Sequence, residues 1–424
     1  MKVLLCDDNP SRCTAVRKLI DQAGAPKIEV IPLAGKDLYN ELVKLFERVN
    51  KCVSRPDKYS PEGQLLLDQA DVVAIDNNLA ELEIKGARIT AESIAGYVRA
   101  FTSSAYVVSL NKNPDVDFDL RFLMGDYTSR ADLVLNAHHL SNKGLWTGNP
   151  GDSEDSFKPF YWPALATMAK RRRSQIDFVR RNMAKRVLRS FGFSDAAITQ
   201  FSPHARASLS PQAESETSST GIPIEDLTFL DVFKDGDRSL YIRSERLRLS
   251  HSMNNSSILD VISRAVASDL DRWFRRDIVG PQDVLVDLPH LLQRFPMLLG
   301  NKSSKISDWD KASAATRPPY NLDSKIYAAH LARALFKRSE WLSAPSFDWH
   351  LLKNDERLNE LYMTADPAKW IDGRFCEDTS TFSIANDKEN SPEEFATEFE
   401  GSWQYRYVKK VRNKKYRPQS RFAR

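Results

Sequence analysis

Five short apolar runs recur through the first third of this 424-residue chain, separated by helical patterns and polar stretches. They are residues 2–6 (KVLLC), Ile28–Leu33, Ala70–Asp76 (ADVVAID), Ala105–Leu110 (AYVVSL) and Ala131–Asn136 (ADLVLN). The third shows no polar alternation, as expected of a strand covered on both faces. Between the first two runs, Ser11 caps an expected helix carrying Val16, Leu19, Ile20 and Ala23, which Gly24 and Pro26 stop. Leu38, Leu42, Leu45, Phe46 and Val49 form a second helical stripe, and Ile94, Val98 and Phe101 a third. A short helix is expected near 116–124. Residues 51–66, broken by Pro56 and Pro61, read as an inserted loop. Five strands separated by helices predict a parallel sheet with helices on both faces. Ligands of such sheets sit at the carboxyl ends of the strands, where strand order reverses.

That edge is where the chemistry-bearing residues fall. Asp7 and Asp8 follow the first strand, Asp76 ends the third, and Ser109 lies at the end of the fourth. With strand order 2-1-3-4-5 these four side chains are expected to converge. Three carboxylates at one point repel each other, and a hard cation such as Mg²⁺ relieves the repulsion with oxygen ligands. A nearby hydroxyl would hydrogen-bond a phosphoryl oxygen.

MKVLLCDDNP, VVAIDNNL and YVVSLN resemble the acidic pair, phosphoacceptor strand and Ser/Thr strand of a response-regulator receiver domain. The resemblance covers about residues 1–145 and implies a five-stranded, doubly wound, flavodoxin-like α/β fold. It further implies that Asp7 and Asp8 hold Mg²⁺ with Asp76 and the main-chain carbonyl of Asn78. Asp76 would take a phosphoryl group from a histidine kinase, with Ser109 as the switch hydroxyl. The chain departs from the pattern at Asn136, where receivers carry a lysine, and in the insertion before the third strand. Losing that lysine removes a charge that steadies phosphoryl oxygens. Lys112 is a candidate substitute. A competing pattern, Asp76 followed by Glu83-Ile84-Lys85, resembles the metal site of restriction-like nucleases.

Charge divides along the chain. Residues 1–155 carry 18 basic and 23 acidic side chains, a net of −5, and the remainder 43 and 34, a net of +9. Part of the excess lies in a helix expected from about Trp162 to residue 191, closed by Gly192, where Arg171, Arg172 and Arg173 are candidate phosphate or partner contacts. The rest lies in the tail RYVKKVRNKKYRPQSRFAR, nine basic residues and no acid, with Lys409, Lys410, Lys414 and Lys415 among aromatics. Together they suggest weak, sequence-independent nucleic-acid binding.

Residues 202–220, rich in Ser, Thr, Pro and Ala, read as a linker or exposed loop. The division expected is a receiver-like domain over 1–145, a basic helical connector over 146–201, that linker, and a mostly helical α+β output region over 221–424. Within the last, DLTFLDVF-KDGD-RSLYI suggests a hairpin, Ile258, Ile262, Val266, Leu270, Trp273 and Phe274 an amphipathic helix, and FCEDTSTF (375–382) a turn or helix start. No apolar run approaches the ~18 residues of a membrane span. The N-terminus lacks signal-peptide character, and Cys6, Cys13, Cys52 and Cys376 show no CxxC spacing. Both features point to a reducing cytoplasm. The sequence thus suggests a bacterial signalling protein whose receiver-like domain controls or docks an output region. The alternatives are a non-catalytic interaction subunit, such as those of bacterial antiviral defence, and a metal-dependent nuclease.

Overall fold

The backbone begins with a strand and a helix that meet at Asp8 and Asn9. This computed structural model describes residues 1–24, 27–84, 87–111, 131–147, 164–210, 222–235, 243–298, 305, 340–342, 346–364, 373–376, 381–384 and 406–407. The expected helix near 116–124, Lys112 and the tail lysines lie outside the described residues. Strand β1 (Lys2–Asp7) leads to α1 (Pro10–Gln22), β2 (Glu29–Ala34), α2 (Gly35–Ser54) and β3 (Val72–Asp76). A hairpin of β4 (Asn78–Ile84) and β5 (Ala87–Thr90) precedes α3 (Ala91–Phe101), β6 (Tyr106–Asn111) and β7 (Leu133–Asn136). The main sheet is entirely parallel, in the order β2-β1-β3-β6-β7. This is the flavodoxin-like, doubly wound arrangement, with a mostly helical C-terminal region beside it.

Strand alternation sends side chains into two cores. Leu4, Cys6, Val73, Ile75 and Val107 face α2 and α3, where Leu38, Leu42 and Leu45 are fully buried. Each such leucine contributes about 1.5–3 kcal/mol by leaving water. Val3, Leu5, Val72, Ala74, Val108, Leu110 and Leu135 face α1 through Cys13, Val16 and Ile20. The basic helix Leu165–Asn182 serves both cores. Leu165, Met168 and Ala169 pack on the α1 side, and Ile176, Phe178 and Val179 join the α2/α3 side with Ile258, Ile262 and Val266 of the helix Ser256–Trp273.

Several local expectations give way to tertiary structure. Asn9, not Ser11, caps α1, its side chain accepting from the Ser11 and Arg12 amides. Helix α2 continues through 51–54 of the expected loop. Residues 78–90 pair as a hairpin because Leu79, Leu82, Ile84 and Ile89 bury against the core. The basic helix stops at Asn182, where Met183 and Val187 turn to pair their backbones with Leu230 and Leu227. A separate helix, Val187–Phe191, ends at Gly192 with φ 88°. Within the expected linker, Ser202 caps the helix Pro203–Leu209, which buries Ala205 and Leu209. Gly236 and the second arm of the expected hairpin lie outside the described residues, and its first arm is instead the helix Phe229–Asp235. Its start is fixed by a reciprocal cap: the Asp231 amide donates to Thr228 Oγ1 (3.2 Å) and the Thr228 amide to Asp231 Oδ2 (3.1 Å). Around 375–382, strands Gly373–Cys376 and Thr381–Ile384 pair antiparallel, and residues 377–380, where a turn or helix start is expected, lie outside the described residues. Among the described residues no helix is long and apolar enough to cross a membrane.

Candidate metal centre

Parallel pairing brings three acidic side chains together at the carboxyl edge. Cys6 is in register with Ile75, so Asp7 and Asp76, one residue on, lie abreast at the ends of β1 and β3. Asp8 follows at the entry to α1, where the helix N-terminus favours negative charge. One carboxylate oxygen from each of Asp7, Asp8 and Asp76 lies within 4.8 Å of the others, and all three residues are buried. Asp7 Oδ1 accepts from the Asn9 amide at 2.9 Å, and Arg12 Nη1 stands 3.8 Å from Asp8 Oδ1. Around a Mg²⁺ with oxygens at ~2.1 Å, ligand atoms are ~3–4.2 Å apart, so a small contraction would bring these carboxylates into coordination. The donor set is all oxygen, which suits Mg²⁺ or Mn²⁺ better than zinc.

Asn78, two residues after Asp76, opens β4. It pairs with Thr90 in the hairpin, while the Ala91 amide donates to Asn77 O (3.4 Å). This makes Asn78–Thr90 a non-hydrogen-bonded pair, in which the Asn78 carbonyl is directed away from β5.

Ser109 and Asn136 fall elsewhere. Ser109 is in register with Ile75, and Leu110 with Asp76. Pleat alternation therefore sends the buried Ser109 to the α2/α3 face, opposite the carboxylates, where its hydroxyl makes a long 3.5 Å contact to Asn77 Oδ1. On the carboxylates' own face β6 presents Leu110, and β7 presents Leu135 in register with it. Asn136, read as occupying the lysine position, is in register with Asn111 on the other face. The expected four-residue convergence is thus a convergence of three, continued by leucines. Glu83 of the nuclease pattern is exposed on the hairpin opposite Arg88 and takes no part in the cluster, and Lys85 lies outside the described residues.

The three arginines of the basic helix have separate fates. Arg172 is 1% exposed, so it cannot meet phosphate or a partner. Its guanidinium reaches Asp132 (3.1 Å) and Asp271 (2.9 Å) and lies over the Tyr106 ring. Arg173 is half-exposed and pairs with Asp71, while Arg171 is partly buried. Sequence reasoning missed the network behind this. Asp132 also receives Arg99 (3.1 Å), Ser268 (2.9 Å) and the Val107 amide (2.8 Å), and Asp271 receives Arg275 (2.5 Å) and Gln175 (2.8 Å). Burial pushes the Asp132 carboxyl up, but Arg172 and Arg99, with the Val107 and Ser268 hydrogen bonds, hold it down at about 2. Asp271 is likewise held below the usual carboxylate range, by Arg275 and Arg172 against desolvation. The network sits at the amino ends of β6 and β7, the pole opposite the carboxylates.

No family model, curated protein or solved structure matches the chain.

Proposed function

We propose that this chain is a regulatory protein of the bacterial signalling type whose α/β region acts as a degenerate receiver. In this reading Asp7, Asp8 and Asp76, with the Asn78 carbonyl, hold Mg²⁺, and the region docks the helical remainder rather than cycling phosphate. One observation carries the proposal: three buried carboxylates meet at the carboxyl edge of a sheet with order 2-1-3-4-5. Leu110 and Leu135 on that face support the degenerate form, because neither can hydrogen-bond or neutralise a phosphoryl oxygen.

The same carboxylates favour a second reading, in which Asp76 accepts a phosphoryl group from a histidine kinase. An Asp76 oxygen would attack phosphorus and the donor's bond to phosphorus would break, leaving an acyl phosphate. Bound Mg²⁺ would supply charge neutralisation on the phosphoryl oxygens. Incubation with acetyl phosphate and Mg²⁺, followed by intact mass, separates the two. The degenerate reading expects no stoichiometric gain of a phosphoryl group. A full gain that disappears in Asp76→Asn would establish a working switch. Calorimetric titration with Mg²⁺ tests the common ground, and no difference in binding heat between the wild type and Asp7→Asn would refute both.

A further inference from the structure

Most arginines of the described core face an aspartate, but one cleft gathers cations that do not. It lies where the end of α2 and the short helical turn Pro56–Lys58 meet the helix Arg243–His251, and it encloses about 600 Å³. Arg55, Lys58 and Arg248 line it with His251, all exposed. Among the described residues no carboxylate lies within 4.0 Å of any of these four side chains, whereas Arg48, Arg172, Arg180, Arg264 and Arg275 each pair with an aspartate. Asp57 is the one acid in the lining. Its Oδ1 accepts the Ser252 hydroxyl at 2.6 Å, so the wall stays net positive: three fixed cations against one anion.

The walls are pre-organised. Arg248 Nη2 donates to Ser54 O at 3.0 Å, covering the carbonyl end of α2 that would otherwise repel an anion. Asn255 Nδ2 donates to Pro56 O (2.9 Å) and Tyr59 O (2.8 Å), fixing the turn that carries Arg55 and Lys58. The Lys58 and Tyr59 amides close that turn on Arg55 O and Pro56 O. A cleft with unbalanced positive charge favours an anion, and its volume falls within the ~300–1,000 Å³ of small-molecule sites. Among the described residues no Phe, Tyr or Trp lines it, so recognition rests chiefly on charge.

We propose that this cleft binds a small ligand bearing a di- or polyphosphate, with Arg55, Lys58 and Arg248 as its phosphate contacts. The ligand would touch both the α/β region and the helical region and so couple them. The site is independent of the acidic cluster and stands or falls without it.

Calorimetric titration of the full chain with inorganic pyrophosphate, and separately with a nucleoside triphosphate, tests this. EDTA is present throughout, so metal at Asp7, Asp8 and Asp76 contributes nothing. Arg55→Ala and Lys58→Ala remove exposed cations without ion pairs, and their unliganded melting temperatures should match the wild type. Each should weaken pyrophosphate binding about tenfold and the double variant about a hundredfold, the loss expected for one charge-assisted hydrogen bond apiece. Arg181→Ala, an exposed cation elsewhere, should bind as wild type does. No binding of either probe by the wild type, or equal binding by the double variant, would overturn the proposal. So would affinity for single-stranded oligonucleotides that rises with length and depends on Arg55 and Lys58 while pyrophosphate fails to compete, since the occupant would then be a nucleic-acid backbone.

Discussion

Buried aspartates at the two ends of one sheet meet opposite fates. At the amino end, Arg99 and Arg172 reach Asp132 from distant segments, and Asp271 is held by Arg172 and, one helical turn on, by Arg275. At the carboxyl end, Asp7, Asp8 and Asp76 crowd together, with the half-exposed Arg12 standing 3.8 Å from Asp8. A buried charge must be compensated or neutralised. The amino end does so with its own arginines and is therefore structural. The carboxyl end instead gathers three carboxylates at one point, the arrangement on which the proposed Mg²⁺ site rests.

Breaking the amino-end network should have the largest effect. Arg172→Ala leaves two buried carboxylates without their shared cation and should cost about 3–5 kcal/mol, read as a lowered urea midpoint, or prevent folding altogether. A loss under about 1 kcal/mol would mean that Arg99 and Arg275 suffice alone.

Acid should attack the two ends differently. Because the folded Asp132 carboxyl is held at about 2, below its unfolded value, its stabilisation is complete above about pH 4. As pH falls through 4 towards 2 that contribution, about 2 kcal/mol, is lost. Melting temperature followed from pH 5 to 2.5 should decline, and Asp132→Asn should flatten the decline. An unchanged slope in the variant would assign acid sensitivity to other groups.

Relieving the carboxyl end should do the reverse of damage. Asp76→Asn removes one charge from a repelling trio, so in EDTA it should raise stability by about 1 kcal/mol. It should also abolish any Mg²⁺-dependent rise in melting temperature. Destabilisation in EDTA would show that the cluster is already compensated within the chain. The smallest effect is expected at the surface: Arg173→Ala removes a half-exposed ion pair with Asp71 and should cost about 0.5 kcal/mol or less in the same melt.

The sheet and its acidic edge are legible in the sequence because strands covered on both faces are written as unbroken apolar runs, and Asp7, Asp8 and Asp76 sit at their ends. Register is not. Whether Ser109 or Leu110 comes abreast of Asp76 turns on a one-residue offset between strands, which flips a side chain to the other face. Arg172 reads as surface charge because its partners, Asp132 and Asp271, lie far away in sequence. At 226–235 an apolar run reads as the first arm of a hairpin, but the Thr228-x-x-Asp231 cap starts a helix there. The cleft at Arg55 and Arg248 joins segments almost two hundred residues apart, and no local pattern marks it.

The helix Leu165–Asn182 carries a consequence for modularity. Here one rod contributes Leu165 and Met168 to the core under α1 and Ile176 and Val179 to the core under α2 and α3. A chain ended at residue 145, where the receiver resemblance stops, would strip covering side chains from both faces of the sheet at once. It would also leave Asp132 without Arg172 and Ser268. The α/β region is therefore expected to be inseparable from the helices that cover it, joined to them by shared packing rather than by a linker.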